Sequence, residues 1–175
     1  MAKSGDLSQG HVAGLGSRVV LWIAQGFGLG WIRVAPGTWG SLLGLVLAGW
    51  VLRHGATVAA CVVTTAGILI AVPICAAAER ILGKRDPGSV VLDEIVVMPL
   101  VGLPAVWLFP SLAIQPSWVL PLAGFAVFRL FDIWKPGPVR SSQELPGGWG
   151  VVMDDVLAAL LAGLVILGAA ALGIR

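Results

Sequence analysis

A long apolar run ends at Phe128-Arg129-Leu130-Phe131-Asp132-Ile133-Trp134-Lys135-Pro136-Gly137-Pro138, where one acid and two bases appear within seven positions. If this stretch is helical, Arg129, Asp132 and Lys135 recur every three residues and lie on one face. Pro136 then ends the helix. Such a helix end either lies among lipid headgroups with its charges solvated, or contributes charged groups to a site.

The composition is that of a membrane protein. Of 175 residues, 58% are hydrophobic and only 11% are charged, which is far from the average of a soluble globular protein. The net charge of +2 is small and the bases are scattered, so we expect no nucleic-acid partner. Cys61 and Cys75 fall in one apolar run, about 21 Å apart on a helix, and cannot form a disulfide.

Five apolar runs predict membrane helices, although the first is short for a span. They are Thr38–Leu52, Thr57–Ala78, Val90–Phe109, Ser117–Phe131 and Val151–Gly173. Thr38 is the predicted N-cap of the first run. The polar segment Asp132–Gly150, rich in Pro and Gly, is predicted to be a loop. Asp154 and Asp155 then fall in the first turn of the last helix.

The segment Val19–Ile32 is apolar but contains three glycines, which favours an interfacial or re-entrant element over a span. We therefore predict an all-α fold. It is a polytopic membrane helix bundle of about five helices plus an N-terminal interfacial or re-entrant helix. The whole chain, 1–175, forms one integral-membrane domain, with residues 1–17 as a flexible N-terminal tail.

The charges indicate the orientation of these helices. With the N-terminus inside, the inner segments hold nine of the eleven bases, and only Arg53 and Arg175 are outside. This is the positive-inside asymmetry. The same assignment places every acid on the inner side, although acids contribute little to insertion, so their clustering needs another cause.

Five carboxylates are predicted to lie near the inner ends of three different helices: Asp93, Glu94, Asp132, Asp154 and Asp155. Each would be costly inside hydrocarbon, by roughly 2.5 kcal/mol or more, unless the groups face one another across a cavity. Five like charges repel, and Mg²⁺ is a hard cation that binds such oxygen ligands. The alternative is that each acid pairs with a nearby base at the headgroup level.

A metal ion, two bases and a helix N-terminus together favour a phosphate site. In this interpretation Arg129 and Lys135 meet an anion, Thr38 marks the helix N-terminus, and spare carboxylates orient an attacking water. Phosphate chemistry at a membrane surface suggests a lipid substrate. The motifs of phospho-aspartate, cysteine and histidine phosphatases are missing from the sequence, so a covalent route lacks its usual nucleophile.

Four blocks of sequence resemble one known family. They are Val34-Ala35-Pro36-Gly37-Thr38-Trp39-Gly40-Ser41, then Asp86 to Glu94 ending in Val91-Leu92-Asp93-Glu94, then Phe128 to Pro138, then Gly147-Gly148-Trp149-Gly150 to Asp154-Asp155. Their order and their acids are similar to those of phosphatidylglycerophosphatase A. Val97-Met98-Pro99 departs from that pattern, in which a glycine and a large residue follow the acidic pair.

The resemblance implies a Mg²⁺-dependent phosphatase that converts phosphatidylglycerophosphate to phosphatidylglycerol at the cytoplasmic face of a bacterial inner membrane. The expected catalytic residues are the five carboxylates, which also bind the metal, together with Lys135. The expected substrate contacts are Thr38, Arg129, Lys135 and Asp86. The expected partners are the lipid substrate and the bilayer, with no obligate protein partner evident.

A membrane carrier that uses the same acids as a cation path is the alternative function. A carrier needs polar groups near the bilayer midplane, where only Thr64 and Thr65 interrupt the apolar runs. A lipid phosphotransferase would need a spaced Asp-Gly…Ala-Arg signature, which the sequence lacks. The phosphatase is therefore the preferred hypothesis.

Overall fold

The computed structural model describes residues 14–54, 57–114 and 118–173, and this part of the chain is helical without strands. Its α-helices are α1 (Leu15–Ala24), α2 (Pro36–His54), α3 (Thr57–Leu82), α4 (Leu92–Leu108), α5 (Val119–Trp134), α6 (Gly137–Ser142) and α7 (Gly148–Ala171). Two 3₁₀ helices, Gly26–Trp31 and Pro110–Ile114, connect them. The all-α prediction is confirmed, with five long helices and a short N-terminal one.

Helix α4 lies at the centre of the bundle and packs against α2, α3 and α7. The main core is built from its apolar side chains and from small residues of α7, such as Ala158, Ala159 and Ala162, which are fully buried. Aliphatic side chains elsewhere remain exposed, as at Val62 and Ile70 of α3. A helix that is apolar on its outer face as well as its inner face is suited to lipid.

Two helices of the described residues, α3 with 26 residues and α7 with 24, are long and apolar enough to cross a membrane. Helices α2, α4 and α5 have 19, 17 and 16 residues. At about 1.5 Å per residue they are somewhat shorter than a bilayer core of about 30 Å. The chain is thus a membrane protein with two candidate spans. Of the three shorter long helices, α2 precedes the first candidate span, and α4 and α5 lie between the two.

The N-terminal element is bent rather than continuous. After the ten residues of α1 comes the 3₁₀ helix Gly26–Trp31, inside which the chain kinks at Phe27 and Gly28, both with positive φ. The Val91 amide donates to the Ala24 carbonyl over 2.9 Å, which ties this element to the start of α4. Of the tail predicted over residues 1–17, residues 1–13 lie outside the described residues, and α1 already begins at Leu15.

Several predicted boundaries were wrong. Helix α2 begins at Pro36, so Thr38 is not its N-cap but lies in the first turn, where its amide donates to Ala35. Proline is favoured at a first helical position because it has no amide proton to leave unpaired. The predicted loop Asp132–Gly150 contains the end of α5, all of α6 and the start of α7.

Helix α7 starts three residues earlier than predicted, which places Asp154 and Asp155 in its second turn. The reason is a close approach of two backbones. A Cβ atom at Gly148 would collide with the Val72 carbonyl oxygen of α3 and lie 2.9 Å from the Ala76 nitrogen. Glycine lets the α7 backbone reach α3 at this point, so the helix begins while packed against its neighbour.

Replacing Gly148 by alanine should destabilise the protein by about 1–3 kcal/mol, because the added methyl group meets backbone that cannot move aside. Thermal unfolding of the purified protein in detergent measures this effect. Gly168→Ala is the matched control, since it lies in the same helix and a Cβ there meets nothing within 4 Å. Equal stability of the two variants would contradict the close α3–α7 contact.

Candidate active site

The polar ends of four helices meet at one end of the bundle. Because the long helices alternate in direction, the starts of α2, α4 and α7 lie beside the end of α5. The five predicted carboxylates, here called the carboxylate cluster, are Asp93, Glu94, Asp132, Asp154 and Asp155. Asp93, Asp154 and Asp155 are only 4–5% exposed. Side chains that the sequence separates by up to 62 positions are therefore gathered at one site.

Glu94 and Asp132 are joined by the guanidinium group of Arg129. Its Nη1 atom lies 2.9 Å from Glu94 Oε2 and 2.8 Å from Asp132 Oδ2. The hydroxyl of Ser41, fully buried in α2, lies 2.6 Å from the same Glu94 oxygen and 2.8 Å from the Gly37 carbonyl. These contacts link α2, α4 and α5.

Lys135 and Asp154 form the second ion pair of the site. The Lys135 Nζ atom lies 2.5 Å from Asp154 Oδ2 and 3.8 Å from Asp132 Oδ1. Burial alone would lower the pKa of Lys135, but the hydrogen bond and charge of Asp154, with the charge of Asp132, raise it above its ordinary value. Lys135 is therefore a permanent cation at neutral pH.

Asp93 and Asp155 form no ion pair with a base of the described residues. The Asp93 Oδ1 atom is buried and has no hydrogen-bond partner. The Nε atom of Arg129 is also buried without a hydrogen-bond partner. Among the described residues, these are the two buried side-chain polar atoms that lack one. An unpartnered buried polar atom is costly, by about 1–3 kcal/mol, so these two atoms mark places for a ligand.

The expectation that Arg129 and Lys135 meet an anion applies to a site whose acids are neutralised by a metal ion, and it stays a prediction. Both bases are paired with acids, because the packing of α5 against α7 and α4 brings them within reach of Asp154 and Glu94. Pairing with local bases thus accounts for Glu94, Asp132 and Asp154. It does not account for the whole cluster, since five carboxylates face two bases.

The carboxylate cluster has the oxygen donors that a hard metal ion binds. Carboxylate oxygens suit Mg²⁺, and Asp93 Oδ1 is an unpartnered one. No three His, Cys, Asp or Glu side chains of the described residues converge on one point as metal ligands. The donor chemistry fits, whereas the side-chain positions are those of acids held by Arg129 and Lys135.

Comparison with known proteins identifies the family. The family model of phosphatidylglycerophosphatase A matches residues 22–170, which is most of the chain and includes every residue of the carboxylate cluster. The chain belongs to the phosphatidylglycerophosphatase A family. The resemblance seen in the four sequence blocks is thereby confirmed.

Two relatives that bear the name phosphatidylglycerophosphatase A support this assignment. The chain is 42% identical over 145 residues to the one of Haemophilus influenzae, covering 82% of this chain and 84% of the relative. It is 32% identical over 146 residues to the one of Escherichia coli, covering 79% and 76%. No solved structure matches the chain.

In this member of the phosphatidylglycerophosphatase A family, Thr38 and Asp86 lie at the edge of the carboxylate cluster. Thr38 is partly buried in the first turn of α2, one turn before Ser41. Asp86 is exposed in the α3–α4 connection, and the Gln143 amide group donates to it over 3.5 Å and to Asp154 over 2.9 Å. Gln143 therefore connects Asp86 to the carboxylate cluster.

Ser41 and Gln143 are site residues that the sequence analysis missed. Ser41 closes the first of the four blocks, and a serine inside an otherwise apolar helix is a signal that could have identified it. Gln143 lies in a segment predicted to be a plain loop, and nothing in the sequence distinguishes it. Its role depends on α6, which turns the chain back toward α7.

Proposed function

We propose that the chain is a lipid phosphatase that hydrolyses the phosphomonoester of phosphatidylglycerophosphate to give phosphatidylglycerol and phosphate. The names of the two relatives support this substrate. The structural observation that carries the proposal is the pair of unpartnered buried atoms, the Asp93 Oδ1 acceptor and the Arg129 Nε donor. A site that binds a metal–phosphate pair needs both kinds of atom.

Mg²⁺ is the proposed metal, and Asp93, Glu94, Asp132, Asp154 and Asp155 are its proposed ligands. The excess of carboxylates over bases and the free oxygen of Asp93 support this assignment. When bound, the ion supplies positive charge that stabilises the charge developing on the phosphoryl oxygens. Asp93 and Asp155, which lack a base, are the groups best suited to orient a water and accept its proton.

Arg129 and Lys135 are the proposed phosphate contacts, together with Thr38 at the start of α2. Asp86, at the rim, is a further proposed substrate contact. Each base is now held by carboxylates, so a metal ion that takes those carboxylates would leave the base available to the phosphate. The start of α2 adds the partial positive charge of a helix N-terminus. Lys135 serves as a catalytic cation in this arrangement.

The carrier alternative has no comparable support. Of the polar side chains that are buried in the described part, only Thr64 lies in the middle of a long helix. Its hydroxyl donates to the Ala60 carbonyl over 2.7 Å and so has a local partner. A cation path across the bilayer would need several polar groups at that depth.

We further propose that the five long helices all cross a bacterial inner membrane, with the carboxylate cluster on the cytoplasmic side. The distribution of bases supports this orientation. Exposed tryptophans occur near both ends of the helices, as expected at the two interfaces: Trp31, Trp39, Trp134 and Trp149 near the cluster, and Trp50, Trp107 and Trp118 near the opposite end.

A cysteine reporter tests the orientation in a chain whose Cys61 and Cys75 have been replaced. A cysteine at the exposed position Ser111, after α4, should react with an impermeant reagent from outside the cell. A cysteine at the exposed position Ser141, in α6, should react only after permeabilisation. Reaction of both from the same side would show that α5, the long helix between the two positions, does not span.

The proposed reaction is tested by phosphate release from purified protein. Phosphatidylglycerophosphate should be hydrolysed faster than phosphatidic acid, which carries a phosphomonoester but lacks the second glycerol. The control is the Asp93→Asn variant purified in the same way. Any phosphate that it releases measures the activity of a contaminating phosphatase. If wild-type protein released no phosphate from phosphatidylglycerophosphate with Mg²⁺ present, the proposal would be wrong.

A further inference from the structure

A cavity of about 400 Å³ lies beside the carboxylate cluster on the side of the helix connections. Arg85 and Asp86 of the α3–α4 connection form one wall. Arg140 of α6 and the following Gln143 and Glu144 form another, and Gly150 and Val151 of α7 complete it. The volume is within the range of about 300–1,000 Å³ that is usual for small-ligand sites.

The lining of this cavity is chemically specific. Two guanidinium groups, Arg85 and Arg140, are the groups that bind phosphate oxygens with paired hydrogen bonds. Arg85 is already oriented by a hydrogen bond that it donates to the Gln143 carbonyl. The carboxylates of Asp86 and Glu144 can accept hydrogen bonds from hydroxyl groups. A ligand with both a phosphate and hydroxyl groups satisfies this combination.

The cavity and the carboxylate cluster share a wall. The Gln143 side chain lines the cavity while its amide donates to Asp154 over 2.9 Å. Gly150 and Val151 lie about one helical turn, roughly 5.4 Å, before Asp154 on α7. A phosphate in the cavity would therefore be a near neighbour of a phosphate in the cluster, as the two phosphates of one glycerophosphate headgroup are.

We propose that this cavity is a second phosphate-binding subsite, in which Arg85 and Arg140 hold a phosphate group next to the reacting one. The inference rests on the proposed function. The occupant is either the phosphodiester of the lipid headgroup or the inorganic phosphate released by the reaction, since both present the same oxygens. The hydroxyl acceptors Asp86 and Glu144 favour the headgroup.

Direct binding tests the subsite without requiring turnover. The full-length protein in detergent with EDTA is titrated calorimetrically with glycerophosphoglycerol, a soluble diester, and separately with inorganic phosphate. Arg85→Gln and Arg140→Gln should each weaken binding at least about tenfold, the effect of losing one charge-assisted contact. Lys84→Gln is the matched control, because Lys84 is an exposed base of the same connection that does not line the cavity.

The two titrations distinguish the two occupants. Weaker binding of the diester in the arginine variants supports the headgroup phosphate, and weaker binding of inorganic phosphate alone supports the released product. If wild-type protein binds neither anion, or if both arginine variants bind both anions as wild type does, the subsite proposal is overturned. If the wild-type protein bound these anions through Arg85 and Arg140 but did not hydrolyse phosphatidylglycerophosphate, the proposed function would be wrong and the subsite would stand.

Discussion

Replacing Asp93 by asparagine should lower phosphate release by at least about a hundredfold while leaving the protein as stable as wild type, or more stable. Asp93 is buried and its Oδ1 atom has no partner, so its negative charge costs stability in the ligand-free protein. Asparagine has the same size without the charge. A loss of turnover without a loss of stability identifies a group kept for function. Turnover and thermal unfolding, measured on one preparation, provide both values.

Chelation should produce the same loss in wild-type protein. EDTA should abolish phosphate release, and added Mg²⁺ should restore it, because adjacent carboxylates from three helices are most simply reconciled as oxygen ligands. Asp6→Asn is the control for charge removal, since Asp6 precedes the first described helix. Full activity in EDTA would contradict the proposed metal requirement. Equal losses of activity for Asp6→Asn and Asp93→Asn would contradict the placement of Asp93 in the active site.

Lys135→Arg should lower turnover at least about tenfold even though it keeps the positive charge. The Lys135 ammonium group lies between Asp154 and Asp132, at 2.5 Å and 3.8 Å, as a compact point charge. An arginine would bind one carboxylate with two parallel hydrogen bonds and would not release it as readily to a metal ion. Turnover with saturating Mg²⁺ measures the effect, and the exposed Lys84→Arg is the matched control.

Lys135→Gln separates the structural part of this role from the functional part. It should lower the free energy of unfolding by roughly 1–3 kcal/mol, because it leaves the buried Asp154 carboxylate without its cation. Adding Asp154→Asn should restore stability but not turnover. If Lys135 served only as a membrane anchor, Lys135→Arg would have wild-type turnover, and Lys135 would be removed from the site.

The location of the site at one end of the bundle was predictable from the sequence. The acids Asp93 and Glu94 follow a charged connection and Asp132 ends an apolar run, so an alternating bundle had to bring them to the same side. Membrane helices make this inference simple, because the cost of burying charge confines acids to helix ends. The five long helices were predictable too, because each corresponds to one apolar run of the sequence.

The boundaries that depend on close packing were not predictable. The early start of α7 requires the contact between Gly148 and Val72, and the pairing of Ser41 with Glu94 requires α2 to approach α4 through glycines. A Cβ at Gly44, for example, would lie only 2.8 Å from the Ile95 carbonyl oxygen. Composition and spacing carry no information on which helix faces which glycine.

The sequence by itself determined an all-α membrane bundle, the family, and the set of acids and bases that form the site. Each of these depends on local composition or on motifs, and both are readable along the chain. The tertiary structure alone decided that Arg129 and Lys135 neutralise acids in the ligand-free protein, and that Asp93 keeps an unpartnered oxygen. Ion pairing acts over a few ångströms between different helices, so only the packing of those helices decides which charges meet.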